Sequence, residues 1–252
     1  MREKTINRVL LALAYIIFLF AFMWATVQAV PAQAPSRQEQ ERAILRYRET
    51  RVAVQSTVLY PFSAVVRIVS TFPNGERAVG SGAFVGPNRV VTAGHIVYDS
   101  EAGGYARHIN ITPGYANGEA PFGSTYASYM QTTKGYKNDG DPDYDFAMLT
   151  TADELGRRTG WLGLKATDNS DLGTVLLCGY PDDLGGTRQM YFAGGRSWWA
   201  NSHRLQYEFW TDSGMSGGPL INYNFYIVGI HTGGNSNYNY GVSINQQWPG
   251  WF

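Results

Sequence analysis

The chain has 252 residues with 20 basic and 20 acidic side chains, so its formal net charge at pH 7 is zero. This balance, and the lack of a basic patch interleaved with aromatic residues, argue against a nucleic-acid-binding protein. Aromatic residues make up 14% and charged residues 16% of the chain, which also contains 29 glycines. Such a composition favours short strands joined by tight turns over long solvated helices.

The N-terminus has the pattern of an export segment. Basic residues at positions 2, 4 and 8 precede an uncharged, largely apolar run over residues 9–27. A cleavable signal peptide has a basic start, roughly 7–15 apolar residues and small residues at the cut. A longer run approaches the roughly 20 residues of a membrane span. Residues 1–29 are therefore predicted to be a signal peptide cut after Ala29, or an uncleaved membrane anchor. Both place the remainder outside the cell, as a secreted or a tethered protein.

Residues 30–51 are rich in charged side chains and poor in apolar ones. Two interpretations remain open for this segment. It is either a solvated linker or a pro-segment that is removed when a zymogen matures.

From Val52 the sequence changes to short apolar runs separated by turn residues, which predicts an all-β domain over residues 52–252. Fewer clear strands are visible between residues 101 and 143. The predicted strands are, in chain order, residues 64–69, 80–85, 89–93, 144–149, 175–180, 204–210, 219–221 and 226–230. The single cysteine, Cys178, lies in one of these apolar runs, so we expect a buried thiol and no intramolecular disulfide.

Ser216 lies in the segment TDSGMSGGPL, which runs into the apolar residue Ile221. Glycine adopts left-handed dihedral angles at low cost, so the backbone amides of such a loop can point at a small target. If Ser216 is a nucleophile, the amides of Gly214 and Ser216 can bind the negative oxygen of an acyl-transfer intermediate. Taken alone, the segment is equally compatible with a surface loop.

A serine nucleophile needs a neighbouring base, usually a histidine. His95 ends the run VVTAGH, in which an apolar strand closes on a small-residue turn and projects the imidazole from the strand end. His108 and His203 lie among polar, turn-forming residues, where a solvated histidine is the expected outcome. His95 is therefore the candidate base.

The base in turn needs a carboxylate that holds its tautomer. Asp145 leads directly into an apolar run, so it can be partly buried at a strand start. The nearby Asp139, Asp141 and Asp143 suggest a calcium loop as an alternative. The segment lacks the Glu that ends a twelve-residue calcium loop, so these aspartates are expected to shape a solvated loop.

Three motifs together resemble those of the chymotrypsin-like serine peptidases. They are TAGH ending at His95, DFAM starting at Asp145 and GMSGGP around Ser216. Their order along the chain, His, Asp and then Ser, is the order of that clan and not that of subtilisins or α/β-hydrolases. The resemblance covers roughly residues 60–244. It implies two six-stranded antiparallel β-barrels with the active site in the cleft between them.

Within this clan the chain is more similar to the bacterial, V8-like glutamyl endopeptidases than to animal trypsins. The segments YPF at 60–62, GHIVYD at 94–99 and CGYP at 178–181 carry this likeness. Met215 occupies the position where animal enzymes have an aspartate that pairs with a new N-terminus. Activation by such an internal ion pair is therefore not expected.

The resemblance also implies a substrate specificity. Trypsin-like enzymes carry an acidic residue about six positions before the serine, and Trp210 stands there in this chain. Thr211, His231 and Thr232 instead resemble the pocket in which glutamyl endopeptidases bind a substrate carboxylate. An imidazole can donate to a carboxylate and gain charge beside it. Cleavage after Glu is predicted, with cleavage after Asp as the alternative.

Two rival functions use the same fold. One is a non-catalytic extracellular binding module, although such relatives usually lose one of the three catalytic residues and all three are present here. The other is an esterase with the same residues. The expected partners are protein or peptide substrates and not nucleic acid, and we expect a monomer. The sequence indicates no cofactor and no metal-binding residues, and it leaves a calcium requirement open.

Overall fold

The computed structural model describes residues 51–166 and 171–245. The predicted signal or anchor at 1–29, and the predicted linker or pro-segment at 30–51 apart from Arg51, lie outside these residues. Within the described ranges, no helix has the length and apolar character needed to cross a bilayer.

The described chain consists of short β-strands with a few helical turns. In chain order the strands are β1 (Val52–Ala53), β2 (Val65–Thr71), β3 (Arg77–Gly86), β4 (Arg89–Thr92), β5 (Tyr98–Asp99), β6 (Gly104–Tyr105), β7 (His108–Pro113), β8 (Thr125–Thr132), β9 (Ala147–Thr151), β10 (Gly163–Leu164), β11 (Asp171–Gly179), β12 (Tyr191–Trp199), β13 (Arg204–Tyr207), β14 (Pro219–Asn222), β15 (Tyr226–Gly234) and β16 (Asn239–Ser243). The short helices are α1 (Lys134–Asp139) and α2 (Gly156–Thr159), and 3₁₀ turns span Phe62–Ala64, Gly94–Ile96 and Pro142–Tyr144.

The first barrel closes in the order β2-β3-β4-β9-β8-β7, and every neighbouring pair is antiparallel. Its interior holds apolar side chains that include Ile68, Phe84, Ile111 and Leu149, all fully buried. Strand β2 is buried on both faces, because Val65 packs in a different cluster from its neighbour Val66. This explains why the strand is a nearly continuous apolar run in the sequence.

The second barrel is a ring of six antiparallel strands, because β12 pairs with both β11 and β13 and the sheet continues through β14, β15 and β16. Strand β1 extends it at β12, and β10 joins β15 in parallel. Leu177, Leu205 and Leu220 are fully buried within it. The prediction of two six-stranded antiparallel barrels is confirmed.

A further apolar cluster combines residues of both barrels. Phe146 from the first barrel and Cys178, Tyr180 and Ile230 from the second belong to it. Cys178 is fully buried, as the sequence predicts, and this burial raises the pKa of its thiol. The cluster therefore holds the two barrels against each other with a cysteine that acts as a small apolar residue.

Some strands and boundaries differ from the sequence-based expectation. Strands β7, β8, β12 and β16 were not predicted, because polar, glycine and exposed aromatic residues interrupt their apolar pattern. The predicted strand at 144–149 begins only at Ala147, because Pro142–Tyr144 form a 3₁₀ turn that Asp145 terminates. The predicted strand at 204–210 ends at Tyr207.

Candidate active site

His95 and Asp145 are joined by two hydrogen bonds. His95 Nδ1 lies 2.7 Å from Asp145 Oδ2, and the backbone N–H of His95 donates to Asp145 Oδ1 at 2.9 Å. The Asp145 side chain is 8% exposed and that of His95 is 32% exposed. One buried carboxylate therefore fixes both the backbone and the ring of a histidine that still reaches the surface.

Local structure explains this placement. His95 lies in the 3₁₀ turn that follows β4, and Asp145 lies between another 3₁₀ turn and β9, which pairs with β4. Thr132 Oγ1 donates to Phe146 O at 2.8 Å and Thr133 Oγ1 donates to Tyr144 O at 2.5 Å. These two hydroxyls hold the backbone on either side of Asp145.

The electrostatics of His95 are set by opposing effects. Burial disfavours the charged ring, but the charge and hydrogen bond of Asp145, with a smaller contribution from Asp99, raise the pKa of His95 above its ordinary value. Asp145 thus stabilises the imidazolium that would form when His95 takes a proton.

The loop of Ser216 is held by Ser81, a fully buried residue of β3. Ser81 Oγ donates to Gly214 O at 2.7 Å, and the Ser81 N–H donates to Ser216 O at 2.7 Å. Gly214 has a φ of +85°, and an added Cβ there would lie 2.2 Å from Tyr180 O, so only glycine fits. A strand of the first barrel therefore positions the loop of the second that carries Ser216, the predicted nucleophile.

The same loop packs directly against the segment that carries His95. A Cβ built on Gly217 would lie 2.1 Å from Thr92 Oγ1 and 3.0 Å from the Ala93 backbone nitrogen. Among the described residues, no acceptor binds the amides of Gly214 or Ser216, and no hydrogen bond joins Ser216 Oγ to His95. A hydrogen bond between a serine and its general base is often long or poorly aligned until substrate binds.

His231 lies beside the nucleophile loop on β15. Its backbone N–H donates to Gly218 O at 2.9 Å, and its carbonyl accepts from the Gly217 N–H at 2.7 Å. The residue is 2% exposed, and Nδ1 lies 2.5 Å from Tyr207 Oη and 3.1 Å from Tyr240 O. Burial, helped by the charge of the nearby His95, lowers the pKa of His231 to about 4, although the hydrogen bond to Tyr240 O and the charge of Asp145 act in the opposite direction.

The predicted pocket threonines contact the strand that faces His231. Thr211 Oγ1 donates to Asn239 Oδ1 at 2.6 Å, and Asn239 Nδ2 donates to Phe209 O at 2.7 Å. Thr232 Oγ1 donates to Tyr240 O at 3.4 Å. Asn239 therefore connects β16 to residues 209–211 through both ends of its amide.

Four of these residues were missed by the sequence analysis: Ser81, Tyr207, Asn239 and Tyr240. None belongs to a local motif. Each acts through a strand pairing or an interbarrel contact that a single sequence does not reveal.

The other candidate residues lie apart from this site or serve different contacts. The exposed His108 stacks on Tyr126, and Asp143 Oδ2 accepts from Asn201 Nδ2 at 2.8 Å. Among the residues that the structure describes, no group of three or more His, Cys, Asp or Glu side chains is arranged to hold a metal ion.

Residues 80–230 match the model of the family described as the trypsin-like peptidase domain. The chain belongs to this family. The match includes all three residues of the predicted triad. The resemblance to chymotrypsin-like serine peptidases is thereby confirmed.

Curated relatives of this peptidase domain include a glutamyl endopeptidase from Bacillus licheniformis, 29% identical over 213 residues. A protein named extracellular metalloprotease from Bacillus subtilis is 32% identical over 204 residues. These matches cover 79% and 78% of this chain, and 65% and 64% of the two relatives. The chain therefore spans about two thirds of their length.

A solved structure of a Glu endopeptidase in complex with MPD is also similar to this peptidase domain. It has a TM-score of 0.73 and 26% sequence identity, and the match covers 80% of this chain and 94% of that one. The V8-like branch predicted from the sequence is thus represented among both the curated relatives and the solved structures.

Proposed function

We propose that this chain is a serine endopeptidase that cleaves peptide bonds through an acyl-enzyme. The observation that carries the proposal is the pair of hydrogen bonds between His95 and Asp145, next to the loop of Ser216. With a proton on Nδ1 bound to Asp145, the lone pair of His95 Nε2 is available to a serine hydroxyl.

In the proposed mechanism, Ser216 Oγ attacks the peptide carbonyl while His95 Nε2 takes its proton. The amides of Gly214 and Ser216 bind the developing oxyanion, which is consistent with their lack of an acceptor among the described residues. His95 then gives the proton to the leaving amine. Water resolves the acyl-enzyme by the same steps, again with His95 as the base.

The nucleophile is tested with a fluorophosphonate probe, which labels an activated serine. We expect the wild-type protein to be labelled and Ser216→Ala to remain unlabelled, because the probe forms its bond with Ser216 Oγ. Labelling of Ser216→Ala at the wild-type level would reject the assignment. The same assay separates the peptidase from a non-catalytic binding module, and peptide and ester substrates then separate it from an esterase.

We further propose that the enzyme cleaves after Glu. The support is the buried His231 beside the loop of Ser216, the hydroxyls of Thr211 and Thr232, which bond to the neighbouring strand β16, and the glutamyl endopeptidases among the relatives. His231 is the proposed donor to the carboxylate, because the two threonine hydroxyls already donate to Asn239 Oδ1 and Tyr240 O. Trp210, and not an acidic residue, stands at the trypsin position.

This specificity is tested with matched peptides that carry Glu, Gln or Asp before the cleaved bond. We expect the wild-type enzyme to prefer Glu, and His231→Ala to lose most of that preference over Gln, because the imidazole is the proposed donor. An unchanged ratio of kcat/KM for Glu and Gln in His231→Ala would remove His231 from the pocket.

We also propose that the protein is exported and acts on proteins or peptides outside the cell, on the strength of the N-terminal pattern. Sequencing the N-terminus of the exported protein distinguishes cleavage after Ala29, a later maturation cut and an uncleaved anchor. Recovery of the intact N-terminus from the cytoplasm would contradict export.

A further inference from the structure

Three atoms with different hydrogen-bonding capacities lie within 3.1 Å of one another: His231 Nδ1, Tyr207 Oη and Tyr240 O. Tyr207 Oη lies 2.5 Å from His231 Nδ1 and 3.1 Å from Tyr240 O, which itself lies 3.1 Å from Nδ1. The carbonyl oxygen can only accept, the hydroxyl has one proton to donate, and Nδ1 donates or accepts according to its tautomer. The proton of Tyr207 therefore has two alternative acceptors.

These alternatives give His231 two neutral forms. When Tyr207 donates to Tyr240 O, Nδ1 carries the imidazole proton and donates to Tyr207 Oη or to the carbonyl, so Nε2 has only a lone pair. When Tyr207 donates to Nδ1, the imidazole proton resides on Nε2. Only the second form offers a donor at Nε2, because a neutral ring has one N–H.

A substrate carboxylate can only accept hydrogen bonds, so it requires the form with a proton on Nε2. Neutral His231 is the starting state near neutral pH, since its burial lowers its pKa to about 4. Nε2 itself has no hydrogen-bond partner among the described residues, and it is not among their fully buried unpaired atoms. It is therefore free to contact a ligand.

We propose that Tyr207 is a specificity-determining positioning residue, which donates its proton to His231 Nδ1 and so makes neutral His231 a donor at Nε2 for the substrate carboxylate. The inference rests on the proposed function, in which His231 lines the pocket for Glu. Tyr207 acts through His231 and does not itself touch the substrate.

The surroundings of Tyr207 suit this role. Its ring is fully buried and stacks on Phe209 with centroids 4.5 Å apart and an interplanar angle of 18°, so the hydroxyl is held in place. Burial raises the pKa of Tyr207 well above its ordinary value, so the phenol keeps its proton. When the hydroxyl turns to Nδ1, Tyr240 O retains the Thr232 hydroxyl at 3.4 Å as a donor.

The first test is Tyr207→Phe, which keeps the stacked ring and removes the proton. Tyr240 O is then the partner left near Nδ1, so Nδ1 carries the proton and Nε2 becomes an acceptor. The ratio of kcat/KM for Glu over Gln should fall by about ten- to a hundredfold, the range of a hydrogen bond to a charged group. Cleavage after Gln should be maintained, because its amide can donate to Nε2.

The matched control is Tyr60→Phe, which removes a phenol that donates to the carbonyl of Trp161 at 3.5 Å, outside the pocket. This variant should keep the wild-type Glu/Gln ratio. An unchanged ratio in Tyr207→Phe overturns the proposed role of Tyr207, while the Glu preference of the wild type still upholds the pocket. A wild-type enzyme without Glu preference overturns both.

The second test needs no change at Tyr207, so it remains decisive if that variant fails to fold. The competing arrangement binds the carboxylate to a His231 imidazolium, which requires the uptake of about one proton. An inactive protein that carries both Ser216→Ala and His95→Ala, so that His231 is the histidine of the site that can take up a proton, is titrated calorimetrically with a Glu peptide in buffers of different ionisation enthalpy near neutral pH. Proton uptake near zero supports the donation from Tyr207, and uptake near one overturns it.

Discussion

Both carboxylate oxygens of Asp145 contact His95: Oδ2 contacts the ring Nδ1, and Oδ1 accepts from the backbone N–H. This arrangement fixes the position of the ring, its rotamer and its tautomer together. His231 is also held through Nδ1, but by a hydroxyl and a carbonyl that carry no charge. The two histidines therefore have opposite electrostatic character, with the pKa of His95 raised and that of His231 lowered.

This difference predicts the pH dependence of activity. The proposed base must be neutral, and the pKa of His95 is raised, so kcat/KM should fall as the pH drops through a value above the ordinary 6.5. His231, with a pKa of about 4, and the Glu of the substrate titrate at lower pH. The fall of kcat/KM on the acidic side of the profile therefore reports the protonation of His95. A pH–rate profile with a Glu peptide measures it. A half-maximal rate below pH 6.5 would contradict the prediction.

At the scale of elements, the site is assembled from strand ends and the turns that follow them. Strand β4 leads to His95, β9 follows Asp145, and β14 begins three residues after Ser216. Close contacts lock these turns together. A Cβ on Gly94 would lie 2.6 Å from Thr132 Oγ1 and 3.0 Å from Asp145 Oδ1, so this turn has no room for a larger residue.

Ser81 connects β3 to the nucleophile loop, which predicts a combined effect on stability and rate. Ser81→Ala removes the donor to Gly214 O and the acceptor of the Tyr180 N–H. Leaving such buried groups unpaired costs about 1–3 kcal/mol. We also expect kcat to fall, because Gly214 supplies an oxyanion donor in the proposed mechanism. Urea unfolding and peptide hydrolysis measure the two effects.

The control is Ser63→Ala, which removes a buried hydroxyl that donates to Thr159 O at 2.6 Å, away from the site. This variant should lose comparable stability and retain kcat. If Ser81→Ala kept the wild-type kcat, Ser81 would be only a structural residue.

At the scale of the whole molecule, Arg51 ties the start of the described chain to the second barrel. Its guanidinium donates to both oxygens of Asp183, at 2.7 and 2.6 Å, in the loop between β11 and β12. The same loop contacts the nucleophile loop through the Asp182 N–H and Ser213 O, 2.8 Å apart. A maturation cut that preserves the ion pair between Arg51 and Asp183 must therefore lie before Arg51.

The two partners differ in exposure, which predicts an asymmetric response to mutation. The Arg51 side chain is 1% exposed and that of Asp183 is 28% exposed. Asp183→Ala leaves the buried Arg51 guanidinium without its hydrogen-bonded carboxylate, with the charge of Asp212 nearby, and should destabilise the protein by about 3 kcal/mol. Arg51→Met should destabilise it less, because the Asp183 carboxylate is partly exposed and can be hydrated. Urea unfolding of both variants compares the costs, and an equal or reversed order would contradict this account.

The sequence by itself determined the fold class and the candidates His95, Asp145 and Ser216. Their signals are local, because strands buried on both faces are continuous apolar runs and each candidate lies in a short ordered motif. Only the tertiary structure revealed Ser81, Tyr207 and Asn239, and the contact between Tyr207 and His231 on which the proposed protonation of His231 depends. These contacts join residues up to 133 positions apart in the chain. In addition, the sequence of a strand does not show whether a polar side chain faces water or a buried partner.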